Sequence, residues 1–256
     1  PVRMLRAVRF SSKLGFTIDP TSNDLIKEMS GLLSQIPAAR LYDEVLKLFL
    51  SGVAVKTFEQ LCRYHLFGML FSETQKTLAA DKDGFGNEFL IKALENTDFR
   101  IRQGKPVTAY FLLAAFLWEP VRIRWQDRLN KGEDSFMAIQ QAAAEVIPIQ
   151  SKTTALPRRV SFPMREVWCL QPRLKIRSGD RPFRLLAHPR FRAAYDFLVL
   201  RATTGDADPA LASWWDSFQS SEEAEQKKMV RRSVPRHRRR RRSRSGQKVS
   251  VIKIDG

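Results

Sequence analysis

Apolar residues along most of the chain recur with the period of an α-helix. At about 100° per residue, the segment 3–15 places Met4, Leu5, Ala7 and Val8 on one face and Arg3, Arg6, Arg9 and Lys13 on the other. Alternation typical of a strand is weak and confined to residues 249–254, where a single strand would have no partner. The pattern therefore predicts an all-α protein.

Capping residues and prolines set the expected helix boundaries. Asp19 followed by Pro20 predicts a helix N-terminus, with the helix running to about Ser34. Pro148, Pro157 and Pro163 are expected to interrupt the helices around them. The other predicted helices span residues 38–51, 53–65, 88–103, 109–118, 134–146, 164–174 and 189–202, and a last packed helix carries Trp214 and Trp215.

The net charge of +17 is concentrated near the C-terminus. Residues 227–248 contain twelve Lys and Arg and no acid, which leaves +5 on residues 1–226. From residue 221 onward the composition is polar and then basic, which predicts a disordered tail. A weakly basic helical body with a strongly basic tail indicates a polyanionic partner, either nucleic acid or an anionic membrane surface.

Composition argues against several other classes of protein. Cys62 and Cys169 are too few for a disulfide framework, which favours a reducing, cytoplasmic setting, and the three histidines are far apart in sequence. The longest apolar run, 109–118, is too short for a membrane-spanning helix. The chain has no signal-peptide pattern, no P-loop and no Gly-rich dinucleotide turn.

The arginines of the first helix form a basic stripe, Arg3–Arg6–Arg9–Lys13. Such a stripe is either a solvated face or a site for an anion. Like charges at helical spacing repel one another, and no acid lies among them, which favours an anion or carboxylates from elsewhere.

Two further charged segments are ambiguous. Residues 40–47 contain possible i,i+4 pairs, Arg40 with Glu44 and Asp43 with Lys47, which by themselves would only support a helix. The tail arginines, Arg236, Arg238, Arg239, Arg240, Arg241 and Arg242, form either a solvated run or a segment that binds RNA phosphates by counterion release.

The pair Asp206 and Asp208 superficially resembles a two-carboxylate metal site. It lies in a Gly- and Pro-flanked loop with no strand to present it, so we interpret it as turn chemistry. No catalytic and no metal-ligating residues are therefore predicted in this chain.

Several segments resemble class II nucleotidyltransferases, the family of bacterial poly(A) polymerases and tRNA CCA-adding enzymes. Residues 1–16, PVRMLRAVRFSSKLGF, resemble the start of the family's neck domain, and residues 36–49, IPAARLYDEVLKLF, resemble its next motif. Residues 62–71, 109–121 and 188–202, the Trp-Trp pair and the basic tail resemble the poly(A) polymerase branch.

This resemblance implies an all-helical neck (1–104) and body (105–220) with a disordered Arg-rich tail (221–256). It implies that Arg3, and with it Arg6, Arg9 and Arg40, contacts the nucleotide, and that Glu44 and Lys47 brace the pocket. Lys13 and the tail arginines are expected to bind RNA.

The family's catalytic head has no counterpart in this sequence, and the chain starts with Pro1 in a helical pattern. We therefore expect the rear portion of a longer enzyme that uses ATP and Mg²⁺ to add AMP to RNA 3′ ends, with no cofactor bound by this portion alone. Expected partners are RNA 3′ ends, the catalytic head and, weakly, anionic membranes or acidic proteins.

Two alternatives stay open at the level of sequence. One is a nonenzymatic helical RNA-binding protein with a basic tail. The other is a CCA-adding enzyme, which shares the features of residues 1–50 but does not account for the body or the tail.

Overall fold

The computed structural model describes the backbone of residues 1–232 and side chains as far as Val230. These residues are helical and contain no strand, which confirms the predicted all-α class. The helices are α1 (Val2–Leu14), α2 (Pro20–Glu28), α3 (Ala38–Phe49), α4 (Ala54–Arg63), α5 (Leu66–Leu70), α6 (Ser72–Ala79), α7 (Phe85–Arg102), α8 (Ala109–Phe116), α9 (Trp118–Asn130), α10 (Ser135–Thr153), α11 (Arg158–Leu174), α12 (Arg181–Leu186), α13 (Phe191–Thr203), α14 (Pro209–Ser220) and α15 (Glu223–Arg232), with a 3₁₀ segment at Ser30–Gln35.

Helix α1 has the two faces that its sequence predicts. Met4, Leu5 and Val8 are buried where α1 packs on α3 and α4. The helix ends at Gly15, whose φ of 75° lies in the left-handed region and whose N–H donates to Ser11 O at 3.0 Å. Burial of one face therefore fixes which side of α1 points to solvent.

The start of α2 was predicted correctly and its end was not. Asp19 Oδ1 accepts a hydrogen bond from Ser22 N at 3.1 Å, and hydrogen bonds from Ser22 lower the pKa of the Asp19 carboxyl below its ordinary value. The α-helix ends at Glu28 instead of reaching Ser34, and the chain continues as the 3₁₀ segment. Gly31 is a poor helix former there, and the tighter winding brings Leu33 into the core.

Of the three prolines expected to interrupt helices, Pro157 does so, since it lies directly before α11, but Pro148 and Pro163 do not. Pro148 lies inside α10, and Pro163 and Pro172 lie inside α11. An interior proline costs a helix about 3 kcal/mol. The packing of α10 and α11 on each other, together with fully buried side chains such as Trp168, offsets that cost.

Two groups of buried side chains make up the core. The larger one extends from α1 to α13 and includes Trp118, Trp168 and Phe197, so it is continuous across residue 104, where a domain boundary is predicted. The smaller one joins α11, α12, α13 and α14 around Trp215, whose Nε1 donates to Leu174 O at 2.9 Å. The division into neck and body stays a prediction.

The first part of the predicted disordered tail is helical. Residues 223–232 form α15 instead of disordered chain, and Val230 is buried in the smaller core. Gln226 is also buried, and its Nε2 donates to Phe218 O at 2.8 Å. The polar composition of residues 223–232 gave no sign of this helix, because Gln226 and Val230 are its buried residues. The weak strand pattern at 249–254 lies outside the described residues.

Candidate nucleic-acid interface

The basic stripe of α1 lies on the solvent side of the helix. Arg3, Arg6 and Lys13 are exposed and Arg9 is half-buried, with its guanidinium 5.1 Å from the Phe10 ring centre. Within residues 1–230, none of these four cations forms an ion pair. The helix therefore presents a row of cations whose charge is not neutralised by the described part of the protein.

Helix α3 carries the second predicted set, and its ion pairing differs from the expectation. Glu44 is buried, and its Oε1 pairs with Lys47 Nζ at 3.0 Å, so the pair is i,i+3. The i,i+4 pairs of Arg40 with Glu44 and of Asp43 with Lys47 are absent from the described ion pairs, because Glu44 turns towards the core and Lys47 reaches over it. Arg40 is exposed on the first turn of α3.

The two charged sets lie on helices that pack on each other, without a direct link between them. Helix α1 packs on α3, so the stripe and the first turn of α3 belong to neighbouring helices. Among described contacts, no hydrogen bond joins Arg40 to Arg3, Arg6 or Arg9. A ligand that contacted both sets would have to bridge them.

The loop carboxylates have structural partners: Asp208 caps a helix, and Asp206 forms a buried ion pair that the interpretation as turn chemistry did not include. Asp206 binds the buried Arg201, and Asp208 Oδ1 accepts a hydrogen bond from Ala210 N at 2.8 Å at the start of α14. Within the described residues, no three His, Cys, Asp or Glu side chains are grouped so that they could hold a metal ion. Both cysteines are free thiols, and burial raises the pKa of each, that of Cys62 to about 11.

Two surface grooves were missed by the sequence analysis. The first groove, about 570 Å³, lies between α7, the segment 103–108 and α13, and Phe99, Lys105, Tyr110 and Arg192 are among its lining residues. The second groove, about 330 Å³, lies between α10 and α11. The available signal was the excess of basic residues in α11–α13. This excess did not predict a groove, because the apolar residues of the same segments follow the period of a buried helix.

The tail arginines that are predicted to bind RNA are not among the described residues. Arg236, Arg238, Arg239, Arg240, Arg241 and Arg242 lie outside the described residues. In the part of the chain that is described, no helix is both long and apolar enough to cross a bilayer.

Two family models match this chain. Residues 15–78 match the model described as "Probable RNA and SrmB-binding site of polymerase A". Residues 131–248 match the model described as "Polymerase A arginine-rich C-terminus". The basic stripe of α1 immediately precedes the first match, and α11–α15 lie within the second.

Curated relatives agree with these models. Poly(A) polymerase I of Salmonella typhi is 38% identical over 252 residues, covering 93% of this chain and 54% of the relative. Poly(A) polymerase I of Haemophilus influenzae is 36% identical over 239 residues, covering 93% and 53%. The chain thus spans about half the length of the curated relatives it matches.

Similarity to CCA-adding enzymes is confined to a short segment. The enzyme of Lactobacillus johnsonii is 40% identical over 58 residues, which is 23% of this chain. The predicted resemblance to the poly(A) polymerase branch is therefore confirmed by both the family models and the relatives. The chain belongs to the bacterial poly(A) polymerase family.

Proposed function

We propose that this chain is the RNA-binding and base-selecting portion of a bacterial poly(A) polymerase, an enzyme that adds AMP from ATP to RNA 3′ ends. The observation that carries the proposal is the match of nearly the whole chain to poly(A) polymerases I, together with the two family models. The unpaired cations of α1 supply the matching chemistry, because an incoming nucleotide and an RNA strand both carry phosphate groups.

Within this function, Arg3 contacts the base of the incoming nucleotide, and Arg6, Arg9 and Arg40 contact the nucleotide or the neighbouring catalytic part. A guanidinium presents a planar fork of donors that can read the edge of a base, whereas an ammonium acts as a point charge. The buried Glu44 and its partner Lys47 hold α3 in place beneath Arg40. Lys13, at the far end of the stripe, contacts RNA phosphate.

ATP and Mg²⁺ belong to the complete polymerase in this proposal. The metal ions would orient the RNA 3′-hydroxyl and the ATP α-phosphate. The described residues contain no carboxylate cluster for these ions, so no catalytic step is assigned to them. We expect the isolated chain to extend no RNA, and reproducible extension by it would overturn this assignment.

The tail arginines of residues 236–242 supply additional attraction to RNA and act without reading its sequence, since flexible cations respond to phosphate charge. A cytoplasmic location fits a partner of this kind. Docking of the tail on anionic lipid or on an acidic protein is the competing use of the same charge.

A nucleotide-choice assay tests the proposal. The complete polymerase that contains this chain is given an RNA primer with ATP alone or with CTP alone, and is compared with its Arg3→Ala and Lys13→Ala variants. We expect extension with ATP only, a loss of ATP preference in Arg3→Ala, and unchanged preference with weaker RNA binding in Lys13→Ala.

Three other outcomes would contradict the proposal or part of it. Incorporation of CTP followed by ATP, stopping after a few nucleotides, would identify a CCA-adding enzyme. RNA binding without any incorporation by the complete protein would favour a nonenzymatic RNA-binding protein. Unchanged selectivity and weakened RNA binding in Arg3→Ala would move Arg3 to the phosphate contacts.

A further inference from the structure

The excess positive charge of the folded body is concentrated in one stretch of sequence. Residues 152–201 contain twelve Lys and Arg and only three Asp and Glu, although the whole of residues 1–226 carries only +5. This stretch forms α11, α12 and α13 and lies outside the segment 15–78 that matches the RNA-binding model. Both surface grooves are lined by residues of this stretch.

The first groove combines an exposed aromatic ring with cations. The Phe99 side chain is 55% exposed, and its ring stacks on no other described aromatic side chain. Lys105 lies in the same groove and forms no ion pair with a described residue. Arg100 is held there by two hydrogen bonds to Pro106 O, at 3.3 and 3.1 Å. An exposed aromatic ring beside cations can stack on a nucleotide base while the cations contact its phosphate.

The second groove repeats this combination. Phe162 is 57% exposed, and Arg165 and Arg173 follow it at helical spacing along the outer face of α11. The Arg173 guanidinium lies 4.3 Å from the Phe136 ring centre. Neither arginine pairs with a described carboxylate. A flat cation on an aromatic ring leaves its outer donors directed to solvent, where a phosphate can accept from them.

The two grooves are neighbours, joined at Arg190. Its guanidinium lies 5.4 Å from the ring centre of Tyr110, which lines the first groove, and its Nε pairs with Glu166 of the second groove at 3.2 Å. His188 and Pro189, adjacent in sequence, line the second and the first groove respectively. Among the described residues, two acids line the grooves, Glu166 and Asp196, and each is paired with an arginine.

We infer that one single strand of RNA lies along both grooves, with bases stacked on Phe99 and Phe162 and its phosphates on the cations beside them. This inference rests on the proposed function and adds a second RNA-contacting surface to it, separate from α1. Alternation of rings and cations fits a nucleic-acid strand better than an acidic peptide, because a peptide would use the charges and leave the two rings exposed.

The test uses the full chain and a fluorescent oligoadenylate of about twelve nucleotides. The aromatic variant is Phe99→Ala with Phe162→Ala, and its conservative counterpart is Phe99→Tyr with Phe162→Tyr, which keeps a stacking face. The charge variant is Lys105→Gln with Arg165→Gln. Its matched control is Lys82→Gln with Arg102→Gln, which removes one exposed lysine and one exposed arginine outside both grooves.

We expect the aromatic variant to bind at least about fivefold more weakly for each stacked base, and the tyrosine variant to bind as the wild type does. The charge variant should reduce the slope of log affinity against log salt by about 0.7 for each cation removed, and its control should not. Unfolding midpoints should stay unchanged, since all of these side chains are on the surface.

Unchanged binding by both groove variants would overturn the groove assignment, and the proposed function would survive if Lys13→Gln or truncation after Arg232 still weakened binding. Equal competition by polyglutamate, with no effect of the aromatic variant, would show an acidic-protein surface and also overturn it. Failure of the wild-type chain to bind RNA at low salt would overturn the proposed function together with the inference.

Discussion

Arg201 and Asp206 form a buried ion pair, with Arg201 Nε 2.7 Å from Asp206 Oδ2 and the arginine only 3% exposed. The guanidinium lies 4.7 Å from the ring centre of Trp118, whose Nε1 donates to the same carboxylate oxygen at 2.9 Å. Burial lowers the pKa of Arg201, and Asp206 opposes that shift. This pair ties the end of α13 to the start of α9 and accounts for one of the two loop carboxylates.

Asp206→Asn should therefore destabilise the protein strongly, because it leaves the buried Arg201 charge without its counterion. Loss of one partner of a buried pair costs about 3–5 kcal/mol. Asp208→Asn is the matched control, since asparagine caps a helix about as well as aspartate does and this side chain is exposed. Denaturant unfolding of both variants measures the difference, and equal loss of stability would contradict the structural role of Asp206.

Removal of α15 should also lower stability. Truncation after Ser221 removes the buried Val230 and the Gln226 hydrogen bond to Phe218 O, and leaves the smaller core partly open. Burial of a valine-sized side chain contributes about 1.5–3 kcal/mol. Truncation after Arg232 keeps every described helix and should unfold at the wild-type midpoint. Identical midpoints for the two truncations would show that α15 does not stabilise the body.

Cys62 makes a contribution to stability that depends on pH. Burial, with a smaller effect from Glu59, raises the pKa of its thiol from 9.0 to about 11. The folded state therefore holds this proton more tightly than the unfolded state, so the contribution is complete below pH 9 and is lost as the pH rises towards 11. Wild type should lose more unfolding free energy over this range than Cys62→Ala does. Parallel pH profiles would contradict the shift.

Local signals allowed much of the fold to be predicted from sequence. The faces of α1 and the Asp19 cap depend on contacts within a few residues, so the period and the capping chemistry were sufficient. The interior prolines of α10 and α11 depend on packing between distant helices, which overrides the local cost of proline. Helix α15 was missed for the same reason, since Val230 is buried in a core that α11 to α14 build together.

The same distinction between local signals and packing of distant segments applies to the candidate site. The stripe of Arg3, Arg6 and Arg9 could be predicted because one helix presents it. The grooves could not, because each is assembled from segments far apart in sequence, such as those of Phe99 and Arg192. The Glu44–Lys47 pair was predicted in part. The sequence identified both residues, but burial of Glu44 makes Lys47 its partner in place of Arg40.

The measurement that tests the central claim most directly is a salt titration of RNA binding by the full chain, on oligoadenylate and on an unrelated single-stranded RNA. Each phosphate neutralised should contribute about −0.7 to the slope of log affinity against log salt. We predict steep slopes of similar size for the two RNAs, reduced by Lys13→Gln and by truncation after Arg232. Absent binding at low salt, or an affinity that does not change with salt, would contradict the account.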